Sequence, residues 1–182
     1  RWGDYKDLII KFAGKMDILG HRGMLGNQSY PVSATAIEEC AVCFITTDFF
    51  NTTLMVNHEL AYQMVLFYAD ELQQAELGMR NMVHMNVKSR IADALLKLQE
   101  GFGIDQDGFI NCSLTRQDIA SYAGTTYETL FKTLHELTED KIVETSGKTI
   151  RIQHQGKLKD LTRLPQNKIP ATIGHRDLQN ID

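Results

Sequence analysis

Cysteine is scarce in this chain, with three in 182 residues. An odd number of thiols does not make a disulfide framework and fits a reducing compartment, the cytoplasm. Long apolar runs are missing as well. None approaches the about 20 residues that cross a bilayer, so no membrane partner is expected. No basic, apolar leader with small residues stands at the start, and nothing points to secretion. The signatures of catalysis are absent: there is no metal triad, no glycine-rich phosphate loop and no nucleophile elbow. Asp105-Gln106-Asp107-Gly108 lacks the ligand spacing of a calcium loop. The expectation is therefore a protein that is not an enzyme, with no catalytic residues, no metal and no cofactor. An excess of positive charge is also missing, the formal net charge being −4. What is present is an ordinary globular composition, 43% hydrophobic and 23% charged, long enough for one or two domains.

Leu114 to Leu137 is the most informative stretch. Thr115 is a good N-cap, and Asp118 stands where it can reach back to the cap's own amide. Ile119, Ala120 and Ala123 give a first short helix one small apolar face. Gly124 falls where a C-cap adopts a positive φ. A second helix then opens at Thr125 or Thr126. Its Leu130, Leu134 and Leu137 line one face, leaving Thr126, Tyr127, Glu128, Thr129 and Lys132 on the open side. Short helix, glycine turn and second helix make a helix-turn-helix, although a helical hairpin buried in a core has the same outline. Ile142-Val143-Glu144-Thr145 and Thr149-Ile150-Arg151-Ile152 follow as strands around a turn at Ser146-Gly147-Lys148, which turns the hairpin into a winged helix.

These residues carry a family resemblance. Thr115-Arg116-Gln117-Asp118-Ile119-Ala120, the Gly124 turn, Glu128-Thr129 and the wing Ser146-Gly147-Lys148-Thr149-Ile150 resemble the DNA-binding domain of the Crp/Fnr transcription regulators. Upstream, Asn86-Val87-Lys88-Ser89-Arg90-Ile91-Ala92 resembles that family's linker into its first helix. The resemblance spans roughly Leu8 to Ile152, and is more specific in the second half. The local charge is not strongly basic, with Arg116, Lys132, Lys141, Lys148 and Arg151 set against six acids between Asp118 and Glu144. DNA binding then depends on which way the cations face.

The first third reads as short strands with glycine turns: Leu8 to Phe12, Ile18 to Gly20, Val32 to Ile37 and Cys40 to Thr46. Four or five strands do not close a barrel. The resemblance implies the second half of the family's β-roll sensor domain, whose first half would lie outside this sequence. Gly20 to Ala34 falls where the family's phosphate-binding cassette lies. Cyclic-nucleotide-binding members carry a glutamate just after the first glycine and an arginine shortly before Ser-Ala. Here His21 replaces the glutamate, and Pro31 or Val32 takes the arginine's place. Both charged contacts to a cyclic nucleotide are lost, so control by that ligand in the standard mode is not expected. Gly20, His21 and Arg22 remain an effector-loop candidate for another anion, set against a plain solvated loop. Cys40 and Cys43 read as buried apolar cysteines in a core strand rather than metal ligands.

Asp48 to Leu54 reads as a short helix, and Asn57 to Met85 as a long one. In the long helix Ala61, Val65, Tyr68, Leu72, Ala75, Met79 and Met82 recur at alternating spacings of four and three, a heptad seam. Leu60, Met64 and Phe67 form a second stripe suited to the β-roll. A narrow seam on so long a helix asks for a partner, and a parallel homodimer is expected. The Val87–Glu100 helix would turn Ile91, Ala94, Leu95 and Leu98 inward, and Phe109 to Cys112 would be a short strand.

The expected fold class is α+β. A partial β-roll of the cyclic-nucleotide-binding type covers 1–50, a dimerisation helix 51–85, and a winged helix-turn-helix 86–155. A polar tail covers 156–182. The expected function is a cytoplasmic, bacterial-type transcription regulator that binds double-stranded DNA as a homodimer on a palindromic site. Glu128 would accept from cytosine and Lys132 would meet guanine or phosphate. Tyr127 would shift the preferred sequence, and Thr126 and Thr129 would touch phosphate or a thymine methyl. Arg116, Gln117 and Lys148 would grip the backbone. RNA polymerase is a candidate further partner, and any small-molecule effector is unidentified. The alternatives are a winged-helix dimer used for protein contact and a regulator independent of any effector.

Overall fold

Threonine and asparagine set where the helices begin. Among the described residues, five of the six α-helices open on such a residue, whose side-chain oxygen accepts the backbone N–H three positions on: Thr46 from Phe49, Asn57 from Leu60, Asn86 from Ser89, Thr115 from Asp118 and Thr126 from Thr129. Each bond satisfies one of the donors that a helix start leaves without an intrahelical partner. The computed structural model describes residues 8–24, 30 and 32–163. In order come a 3-10 turn (His21–Met24), α1 (Thr47–Val56), α2 (His58–His84), α3 (Val87–Phe102), α4 (Arg116–Tyr122), α5 (Tyr127–Glu139), β1 (Val143–Ser146), β2 (Thr149–Ile152) and α6 (Gln155–Thr162).

The core lies in the second half. Ile91, Ala92, Ala94, Leu95 and Leu98 from α3 pack with Ile119, Ala120 and Ala123 around α4. Leu130, Leu134 and Leu137 from α5, Val143 and Ile150 from the hairpin, and Leu158 from α6 complete it. β1 and β2 are antiparallel, with Val143 opposite Ile152 and Ser146 opposite Thr149, so Gly147 and Lys148 alone make the turn. Gly147 takes a positive φ of 54°, which a two-residue hairpin favours. The Ile110 amide donates to the Ile150 carbonyl at 2.8 Å, and Ile104 and Ile110 form an isolated bridge. The short strand expected at Phe109 to Cys112 is thus reduced to one bridge and one bond to the wing.

Three expectations are corrected. Among the described residues, no strand forms before Val143, although Leu8–Phe12, Ile18–Gly20, Val32–Ile37 and Cys40–Thr46 have strand patterns. Pattern alone does not make a strand; each needs a neighbour for its backbone groups, and none pairs here. Cys40 and Cys43 are accordingly exposed rather than buried. Finally, α6 lies across the boundary at 155. Its Leu158 is fully buried against the core, so 156–162 belongs with the winged helix rather than with a tail. Residues 164–182, residues 25–29 and the Pro31 alternative for the cassette arginine lie outside the described residues.

α2 has 27 residues, about 40 Å at 1.5 Å per residue. Its second stripe faces inward: Met64 is buried, Leu60 is half-buried, and the Phe67 ring meets His21 edge to face at 5.1 Å. The seam residues Val65, Leu72, Ala75, Met79 and Met82 are exposed, and Ala61 is half-buried. Tyr68 belongs partly to both faces, because its hydroxyl donates to the His21 carbonyl at 3.0 Å. No helix among the described residues is long and apolar enough to cross a membrane.

Candidate nucleic-acid interface

The helix-turn-helix is built as its residues dictate. Thr115 and Asp118 make a full capping box, each side chain accepting the other's backbone N–H. Gly124 takes a φ of 62° at the turn. A Cβ there would also lie 2.8 Å from the Met82 methyl and 2.9 Å from its sulfur. The end of α2 thus rests on the turn between α4 and α5. Arg90 completes the joint. Its guanidinium donates to the Met85, Ala123 and Gly124 carbonyls, each at 3.1 Å. Sequence reasoning took Arg90 only as part of a linker motif; its role shows once α3 brings it beside two chain segments that are distant in sequence.

α5 buries Leu130, Thr133, Leu134 and Leu137. Thr126, Tyr127, Glu128, Phe131 and Lys132 are exposed, so the expected open face is open. Thr129 is half-buried, and its amide donates to the Thr126 hydroxyl at 3.2 Å, with the two hydroxyls 3.1 Å apart. Those oxygens hold the helix start. Gln117 at the start of α4 and Lys148 at the wing tip are exposed.

Arg116 departs from its expected place. It is half-buried, and one guanidinium nitrogen donates to the Gly147 and Thr149 carbonyls at 3.3 Å each. The other terminal nitrogen is shielded from solvent with no protein partner. Burial pushes the guanidinium below its ordinary range, while Tyr127 and Cys112 push it back up. Arg116 therefore ties α4 to the wing turn that carries Lys148. On β2, Arg151 pairs with Glu144 across the hairpin, lies 5.1 Å from the Phe109 ring centroid and donates to the Asp107 carbonyl at 3.0 Å. The Arg151 bond holds the Glu144 carboxyl below its usual range.

The effector-loop candidates are brought together on α2. Glu71 pairs with Lys11, with His21 Nε2 at 3.3 Å and with an Arg22 nitrogen at 3.5 Å. Burial raises the Glu71 pKa, but the hydrogen bond from Lys11 and the electrostatic effect of Lys11, His21 and Arg22 outweigh it and leave it lowered. His21 is enclosed by Phe67 and Tyr68, so it does not sit in a solvated loop. Gly20 has a φ of 83° and leads directly into the 3-10 turn. Glu71 escaped sequence reasoning because it belongs to neither apolar stripe, although it follows Phe67 by one helical turn. Among the described residues, no group of three or more His, Cys, Asp or Glu side chains is placed to hold a metal.

A hairpin wing beside a capped helix pair, with one helix face left open, defines a winged helix. Residues 89–161 match the Crp-like helix-turn-helix domain. The chain is 26% identical over 155 residues to a probable transcriptional regulator, flp, of Lacticaseibacillus casei, covering 85% of this chain and 69% of that protein. It is 26% identical over 152 residues to the anaerobic regulatory protein of Bacillus subtilis, covering 81% and 64%. In fold it resembles FixK2 from Bradyrhizobium japonicum, with a TM-score of 0.60 at 23% identity over 66% of this chain and 61% of that one. Residues 89–161 are thus similar to the Crp-like helix-turn-helix domain, and the chain spans about two thirds of the length of the transcription regulators it matches.

Proposed function

We propose that this chain is a sequence-specific double-stranded-DNA-binding transcription regulator acting as a homodimer. The observation that carries the reading is the open face of α5, where Thr126, Tyr127, Glu128 and Lys132 stand exposed beside a wing bearing Lys148. Two chains pair along the Ala61–Met82 seam of α2, which leaves Val65, Leu72 and Met79 exposed in the single chain. A seam of this period suits a coiled-coil helix pair, and the two helices run parallel in this reading. The two α5 helices then enter successive major grooves, about 34 Å apart, on a two-fold symmetric site. Glu128 accepts from a cytosine amino group, and Lys132 meets guanine or phosphate. Gln117 and Lys148 hold backbone phosphates. Arg116 acts through the wing, by holding its turn.

Cyclic nucleotide in the standard mode does not fit the loop, because His21 and Arg22 are already engaged by Glu71. The regulator either responds to another effector or acts without one.

The test is selection from a pool of random duplex DNA at two salt concentrations, with the mass of the complex measured in solution. Recovery of a two-fold symmetric motif, bound by two chains and weakening steeply as salt rises, supports the reading. A dimer that recovers no motif at either salt overturns direct DNA recognition without an effector. An interaction insensitive to salt favours the winged helix as a protein-contact module.

A further inference from the structure

Phe131 is the residue on α5 that the helix's own packing does not explain. It follows Leu130, which is fully buried, and so points away from the Leu130–Leu134–Leu137 face. It is 61% exposed. A single exposed apolar side chain is ordinary on a protein surface, and a patch of them is the informative case. It is not alone: the Tyr127 ring, one turn earlier and 42% exposed, stacks beside it at 6.3 Å between centroids and 21° between planes. Glu128 and Lys132 flank the pair on the same open side. The outer face of α5 therefore carries a small apolar plate framed by one acid and one base.

From this plate we infer that Phe131 is a specificity-determining residue that reads the 5-methyl group of thymine in the major groove, with Tyr127 as its stacked support. The inference rests on the DNA-binding reading above and adds a residue and a base to it. The chemistry is direct. The thymine methyl is the one apolar feature a base pair presents in the major groove, and phenylalanine is among the side chains that contact it. Two rings offer far less than the about 800 Å² per partner of a stable protein interface, whereas a single methyl is matched in size to one ring edge. Stacking on Tyr127 limits the rotamers of Phe131 before DNA arrives, so less ordering is required on binding. Glu128 and Lys132 then read the polar edges of neighbouring bases, and the aromatic plate reads what hydrogen bonds do not.

The experiment uses the 182-residue chain and the duplex recovered by selection. Each thymine of the half-site is replaced in turn by deoxyuridine, which lacks only the methyl group. The expected result is one position per half-site at which the replacement weakens binding about four-fold, the equivalent of one buried methyl. Phe131→Ala should bind the thymine and deoxyuridine duplexes equally, while Phe131→Leu, which keeps an apolar tip, should retain part of the difference. Lys148→Ala should weaken both duplexes alike and leave their ratio unchanged. Circular dichroism of each variant checks that the fold is intact. Equal binding of thymine and deoxyuridine duplexes by the unaltered chain at every position overturns the inference and leaves DNA recognition standing. So does a folded Phe131→Ala that still discriminates between them. Failure to bind any duplex overturns effector-free DNA recognition and the inference together.

Discussion

Side chains of the candidate interface divide between those that face outward and those that hold neighbouring segments in place. Arg116 belongs to the second kind. One of its nitrogens donates to both the Gly147 and Thr149 carbonyls, so removing the side chain leaves both without that donor. Arg116→Ala should raise hydrogen exchange at the amides of residues 146–149 and leave exchange in α3 unchanged. Glu71 gives a pH-dependent counterpart. Its pKa in the folded chain lies below the ordinary glutamate value of 4.5 because Lys11, His21 and Arg22 favour the ionised form against the effect of burial. The ionised carboxylate therefore stabilises the fold above that ordinary value, and the contribution is lost as pH falls through the lower folded one. A carbon-detected titration should place Glu71 below the ordinary glutamate value. Glu71→Gln should flatten the decline of the urea midpoint between neutral pH and about pH 3, the region where free carboxyls protonate.

At the scale of the element, helices are written more plainly than strands. A cap residue, an apolar face and a terminator are local, so Thr115, Asp118, Gly124 and the leucines of α5 suffice to mark the helix-turn-helix. The wing is legible for the same reason: its strands are joined by two residues and pair with each other. The segments before α1 carry short apolar stretches between glycine turns, but a strand depends on a neighbour that local sequence does not supply, and among the described residues they pair with nothing. α6 is hidden in the sequence for another reason. Its lone fully buried residue, Leu158, leaves no repeating stripe, and the helix opens at His154 without a side-chain cap. It nevertheless closes the base of the domain against α3. Leu158→Ala should cost about 2–5 kcal/mol, as for other fully buried leucines, measured by urea unfolding of the chain. A change near zero would show that α6 is dispensable to the core.

For the whole molecule, the legible part of the candidate site is its outward face. Thr126, Tyr127, Glu128 and Lys132 are exposed where the helical period assigns them. Phe131 lies on that same arc, and its apolar character in a polar stretch is the available signal. The contacts that join α2 to the winged helix are not legible, since they link residues 82–90 with 123–124 through space. Those contacts give the fold its continuity from the long helix to the helix-turn-helix. They consist of a methionine tip over a glycine and a guanidinium shared among three carbonyls.

That shared guanidinium has a metric consequence. If two chains pair along α2, the gap between their reading helices is set by how firmly each winged helix is fixed to its own end of α2, and Arg90 is the caliper that fixes it. Lysine in its place keeps the charge but loses the three-pronged grip. Arg90→Lys should then recover, from a random duplex pool, the same half-site sequence at a spread of separations, where the unaltered chain recovers a single one. The arginine touches no base, yet it would decide how many base pairs lie between the two words the dimer reads.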